Sequence, residues 1–221
     1  MAVRSILTWP DPILKVQAEF INIIDESVVS LARDLVDTMN VSFGAGLAAT
    51  QIGMTRSIAV IRTGYAGLDL PSDPIVEGAV ILINPQIEFL GKEKFTWEEA
   101  CLSIPGYQSP VRRIKKIKLS YVDLTGFFHE RVLENEAAGV VQHETDHLYG
   151  KLFVDRMRPL NRRRALMSLR RKIQSSHKAQ AKFLKIMAAE EDTRDQSHSV
   201  IGRPKRKKTV KKQFGKNKKR K

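Results

Sequence analysis

Residues 142–148 read Gln142-His143-Glu144-Thr145-Asp146-His147-Leu148, and the placing of this stretch on a helix decides the fold. It contains H-E-x-x-H. On a helix of 3.6 residues per turn, positions i and i+4 share a face, so His143 and His147 can hold one metal ion between them. Glu144, beside the first histidine, then reaches a water on that ion. The neighbouring sequence supplies the helix. Asn135 is an expected N-cap, Glu134 and Glu136 suit the positive end of the helix dipole, and Ala137, Ala138, Val140 and Val141 form an apolar run. Gly150 is a natural stop.

Upstream, Ile117–Val122 and Glu130–Leu133 read as strands flanking the hairpin turn Asp123-Leu124-Thr125-Gly126. Ile58–Ile61, Val80–Ile83 and Gln86–Leu90 are further strands, and residues 63–78, rich in Gly, Pro and Asp, form a loop. Val28, Leu31, Leu35 and Met39 recur at helical spacing over 28–40, with Asp25 or Ser27 as cap. A helix, several strands and a second helix in that order point to an α+β fold rather than alternating βαβ units.

Charge divides the chain of 221 residues and net charge +14. Residues 1–157 carry 15 Lys/Arg against 20 Asp/Glu, whereas 158–221 carry 23 against 4. The basic character belongs to the C-terminal part and points to a polyanionic partner there. Three segments are expected: a catalytic domain over 1–159, a basic helix over 160–189, and a disordered Lys/Arg-rich tail over 190–221. The single cysteine, Cys101, excludes an intramolecular disulfide and suits a reducing compartment. We expect no signal peptide and no membrane span, because no stretch has the required apolar length.

A metal held by His143 and His147 needs a third ligand, from His, Cys, Asp or Glu. Cys101 lies in Glu99-Ala100-Cys101-Leu102-Ser103; standing alone, it reads better as a small buried hydrophobe than as a ligand. A further segment, Gly44-Ala45-Gly46-Leu47-Ala48-Ala49-Thr50-Gln51, is either a tight turn into a packed strand or a backbone kept bare for a peptide, with an amide donor at its end.

Taken together, the three segments resemble the three motifs of peptide deformylases, in the family's order, and the similarity runs from about Val3 to Pro159. The resemblance implies antiparallel or mixed sheets around a central metal-binding helix. It implies Cys101, His143 and His147 as metal ligands, with a fourth position open to water. The ion would be Fe²⁺, with Zn²⁺, Ni²⁺ or Co²⁺ accepted. Glu144 would be the general base and then the general acid, and the Gln51 amide and Leu102 N–H the oxyanion donors. Gly46, Ala45, Val140 and Glu99 would bind substrate, the nascent formylated peptide. Asp146 would pair with Arg113 behind the site. The basic C-terminal region would meet the ribosome or its RNA, in a bacterial-type cytoplasm, and the protein is expected to be a monomer.

Two positions depart from the family. Ala100 replaces a glycine, which matters only if the backbone there needs positive φ. Gly139, Val140 and Glu136 stand where bulkier apolar residues line the methionine pocket, so a wider or more polar pocket is expected. Two other readings remain at this stage. A metalloprotease would take its third ligand downstream of the helix, where only His177 and His198 occur, in the basic region. A ribosome-binding protein on a retired scaffold is the other.

Overall fold

The computed structural model describes residues 2–199. The helix that carries His143 and His147, α2 (Asn135–Leu148), is buried at every position from Ala137 to Leu148. A helix without a solvent face must be wrapped on all sides, and the rest of the first compact unit, which ends at Leu169, does the wrapping.

One layer is a five-stranded antiparallel sheet of order β1-β2-β3-β6-β7, formed by Gly46–Ala48, Ile58–Arg62, Ala79–Phe89, Lys116–Val122 and Phe128–Glu134. Side chains alternate across it. Ile58, Val60, Ile81 and Ile83 face Val28, Leu31, Leu35 and Met39 of helix α1 (Glu26–Val41). Ile61, Val80 and Leu82 face Ala138, Val140 and Val141 of α2. Each such large side chain contributes about 1.5–3 kcal/mol of burial. Asp25 caps α1, its carboxylate accepting from the Val28 N–H at 3.1 Å.

The fold class is the expected α+β, but the strand inventory is richer. β4 (Lys94–Cys101) and β5 (Ile104–Ile114) form a separate hairpin that sequence patterning missed. The two strands expected at 80–83 and 86–90 are one strand, β3, with a register shift between Ile83 and Gln86 where Asn84 adopts φ +51°. Asn135 is not the cap of α2; it takes φ +54°, a conformation Asn tolerates, and Glu134 stands in the capping position. Gly150 does end α2, at φ +65°, where a Cβ would fall 2.4 Å from the Lys15 carbonyl oxygen.

The C-terminal helix α3 begins at Pro159 and is continuous to Ser199. Its first turns belong to the first compact unit: Ala165 and Leu169, four residues apart, are buried with Leu14, Ile104, Leu152 and Phe153. The boundary expected at 159 therefore moves to Leu169, and the break expected at 190 is absent. The remainder of the expected tail, 200–221, lies outside the described residues. Among the described residues, no helix is long and apolar enough to cross a membrane.

Candidate metal centre

Strand β4 alternates strictly. Phe95, Trp97, Glu99 and Cys101 turn inward, while Lys94, Thr96, Glu98 and Ala100 are exposed. Two strand residues advance about 6.6 Å and four helix residues about 6 Å. β4 and α2 can therefore stay in step over three rungs. The indole of Trp97 lies on Gly139, the Glu99 carboxylate on His143, and the Cys101 thiol beside His147. The third metal-ligand candidate thus reaches the H-E-x-x-H helix by register, across 46 residues of sequence.

The ligand atoms of Cys101, His143 and His147 lie within 4.8 Å of one another, and all three residues are buried. Cys101 Sγ is 3.3 Å from His147 Nε2; a tetrahedral ion with ordinary metal–sulfur and metal–nitrogen bonds needs this edge to be about 3.5 Å. His143 Nδ1 meets Glu99 Oε2 at 2.7 Å, which turns Nε2 toward the other two donors and fixes the tautomer a ligand needs. Two buried polar atoms here lack a hydrogen-bond partner, His147 Nδ1 and Glu144 Oε2. The donor set fits a single divalent cation.

Charge around the donors is uneven. Burial alone would raise Glu99, yet hydrogen bonds from Arg113 and His143 hold its carboxyl at about 2, so it is ionised. Burial would lower both imidazoles. His143 is nevertheless raised well above its usual range by hydrogen bonds to Cys101 and Glu99, while His147 stays well below, from burial and the neighbouring His143 charge. Glu144 is pushed up to about 7, mainly by burial.

Glu144 packs on Gly46 so closely that a Cβ there would lie 2.5 Å from Glu144 Oε1. A bare backbone at this position is thus a steric requirement. Arg62 donates its N–H to the Ala45 carbonyl at 2.8 Å, so by antiparallel alternation the N–H and C=O of Gly46 point away from β2, along the open edge of the sheet. The Gln51 amide is oriented unambiguously. Its oxygen accepts from the Ala48 N–H at 2.9 Å, leaving Nε2 to donate to Ser103 Oγ at 3.1 Å and, weakly, toward Cys101 Sγ at 3.5 Å. Leu102 is the second residue of the turn that joins the paired Cys101 and Ile104, a position whose N–H takes no part in closing a turn.

A cleft of about 750 Å³ opens over these groups, lined by Ala45, Gly46, Gln51, Trp97, Val140 and Glu144 among others. Glu99, expected to bind substrate, has its carboxylate fully engaged. Oε1 accepts from Arg113 Nε at 2.7 Å and Trp97 Nε1 at 2.9 Å, and Oε2 from Arg113 and His143. The residue lines the cleft and its carboxylate also fixes the ring orientation of His143. Arg113 also contacts Asp146, and Arg156, which the sequence reading did not single out, closes on the same carboxylate from the other side. Ala100 sits in extended β4 outside the positive-φ residues, so its methyl costs no backbone strain. Glu136 is exposed and absent from the cleft lining.

Residues 3–163 match the sequence model of a family described as Polypeptide deformylase. A peptide deformylase of Pseudomonas aeruginosa is 37% identical over 181 residues, covering 82% of this chain and all of that one. Another, of Aquifex aeolicus, is 40% identical over 173 residues, 78% of this chain and 98% of the relative. Among solved structures, the peptide deformylase of Ehrlichia chaffeensis in complex with actinonin superposes with a TM-score of 0.68 at 33% identity, over 78% of this chain and 98% of that one.

Proposed function

The chain belongs to the peptide deformylase family, metal-dependent hydrolases that remove the N-formyl group from the N-terminal methionine of new polypeptides, and from that premise we propose a division of labour among its own residues. Cys101, His143 and His147 hold the metal, Fe²⁺ natively, with Zn²⁺, Ni²⁺ and Co²⁺ as substitutes that one thiolate and two imidazoles also accept. The bound cation supplies Lewis acidity and lowers the pKa of water.

The Glu144 carboxylate takes a proton from the attacking water. A bond forms from the water oxygen to the formyl carbon, and Gln51 Nε2–H and the Leu102 N–H donate to the carbonyl oxygen as negative charge gathers there. Each such donor stabilises the transition state by about 2.7–4 kcal/mol. The carbon–nitrogen bond then breaks, and Glu144 returns the proton to the leaving nitrogen. The products are formate and a peptide with a free methionine amine. The peptide lies extended along the open edge of β1, pairing with Gly46 as an added strand, its first side chain toward Ala45 and Val140.

The observation that carries this reading is the buried Cys101–His143–His147 cluster with Glu144 on the same helix, packed against Gly46. The test is formate release from formyl-Met-Ala-Ser by anaerobically prepared Fe²⁺ protein, set against Glu144→Ala. No formate from the unsubstituted protein overturns it.

The basic C-terminal residues extend the reading to place. Their 23 Lys/Arg suit ribosomal RNA, where formylated chains emerge in a bacterial-type cytoplasm. Removing 170–221, beyond the first compact unit, should abolish ribosome co-sedimentation at low salt while peptide turnover persists. Unchanged sedimentation overturns this part.

A further inference from the structure

The strand that faces the peptide is the shortest in the sheet. β1 has three residues, Gly46–Ala48, registered against Ile61, Val60 and Ala59 of β2. Gly46 is therefore at the end of the ladder, where strands fray. Beyond it a side chain continues the pairing. Arg62, the last residue of β2, donates to the Gly44 carbonyl oxygen from Nη2 at 3.1 Å and from Nε at 3.4 Å, while its backbone N–H holds the Ala45 carbonyl at 2.8 Å. Gly44 is fixed on other sides too. Its N–H donates to the Met39 carbonyl at 2.8 Å, and a Cβ on it would lie 3.0 Å from Leu102 Cδ1. The residue before it, Phe43, has φ +54° and is 93% exposed, so it gains no burial in return for that backbone. A bulky residue is strained there, and such a conformation persists only where neighbouring contacts impose it.

We propose that Arg62 is a positioning residue for the substrate: by holding the Gly44 carbonyl it keeps Phe43 in its strained conformation and the start of β1 in place, so the Gly46 edge is set before the peptide pairs with it. This deepens the deformylase reading and rests on it. Without the guanidinium, Phe43 relaxes to negative φ, Gly44 and Ala45 move away from β2, and Gly46 loses its register with the incoming chain. An edge that is already ordered spares the complex that ordering cost. Arg62 is not part of the cleft lining; it acts through Gly44, Ala45 and Gly46, which are. Glu144 and the metal-ligand candidates are carried by α2 and β4 rather than by this turn, so the effect falls on peptide binding. A lysine offers a point charge in place of the two-pronged fork and replaces the contact only in part.

The test measures kcat and KM of the metal-loaded, full-length enzyme on formyl-Met-Ala-Ser and on formyl-methionine amide, which has no further residues to pair with β1. Arg62→Met is expected to lower the tripeptide-to-amide ratio of kcat/KM about tenfold, mainly through a higher KM for the tripeptide. Arg62→Lys should lower it about threefold. In a Phe43→Asn background, where the side chain tolerates positive φ, Arg62→Met should cost less than about threefold, a coupling that a merely structural arginine would not show. Metal analysis and circular dichroism check that each variant is loaded and folded. Should Arg62→Met not fold, Arg62→Lys with and without Phe43→Asn reads the same contact. Formate release by the unsubstituted enzyme with the ratio unmoved in the folded Arg62 variants, or with equal losses in the two Phe43 backgrounds, overturns this inference alone. No formate from either substrate overturns the deformylase reading, and this one with it.

Discussion

Helix α2 and strand β4 face each other across the metal centre, and both contribute a metal-ligand candidate at one end and a pocket wall at the other. They do so in opposite ways. Along α2 the groups stand four residues apart, and the largest functional side chains, His143 and His147, follow a glycine at 139. Along β4 they stand two apart, and the largest side chain, Trp97, is opposite that glycine. The helix is self-sufficient, since two of the metal-ligand candidates and the proposed acid–base group share one motif. The strand acquires meaning only from what it is registered against, because Cys101 and Glu99 matter through His147 and His143.

If the two elements are equal partners in holding metal, deleting a ligand from either has the same consequence. His147→Ala and Cys101→Ala should each reduce metal retained after dialysis from about one equivalent to near none and lower formate release by upwards of about 10³-fold. Elemental analysis of both variants decides this. Retention by Cys101→Ala alone would make the strand a bystander.

Their remaining carboxylates should separate. Glu144→Gln keeps metal and loses about 10²–10⁴-fold in turnover, as removal of an acid–base group does. Glu99→Gln keeps the proton-transfer group but loosens His143, and should weaken metal affinity about 10–100-fold. Competition with a chelator, run beside the peptide assay, measures both. Equal metal affinity in the two variants would remove Glu99 from the positioning role.

A third perturbation comes from outside both elements. Gly46→Ala in β1 puts a methyl group where Glu144 Oε1 already lies, at 2.5 Å. Turnover should fall about 10²-fold from displacement of Glu144. Stability should fall by about 1–3 kcal/mol from overpacking, with metal retained. Unfolding and metal analysis separate the two effects.

This contrast also explains what was legible in the sequence. The α2 motif is local, so its spacing alone placed His143, Glu144 and His147 on one helix. The hairpin β4–β5 escaped notice because its alternating pattern, Phe95, Trp97, Glu99 and Cys101 inward, puts a buried carboxylate where patterning expects an apolar residue. That same substitution hid the task of Glu99, whose charge becomes tolerable in the interior only once Arg113 and His143 are brought beside it. Arg156 had no sequence signal, since its partner Asp146 is reached through the turn after α2. A pocket judged wide from Gly139 was filled by a residue distant in sequence, which no reading of α2 by itself could supply.

The smallest effect concerns how the far end of this arrangement is pinned. Past His147 the chain turns, and Asp155 accepts from the Leu152 N–H at 2.9 Å while pairing with Lys15 from the N-terminal segment and Arg162 of α3. Burial alone would raise its carboxyl, but the hydrogen bonds from Lys15 and Leu152 and the nearby positive charges hold it below the usual range. A folded-state pKa below the unfolded one gives stability that is present above about pH 4 and lost as pH falls through the folded value. Lys15 and Arg162 are each more than two-fifths exposed, so solvent screening limits the contribution to roughly 1 kcal/mol. Asp155→Asn should therefore unfold about that much more easily at pH 7, and the gap from the unsubstituted protein should close as pH approaches 3. Other groups that take up protons in acid do so in both proteins and cancel in the difference. Denaturant unfolding at pH 7, 5 and 3 measures that difference, and a gap of constant size would assign the loss to packing rather than to charge.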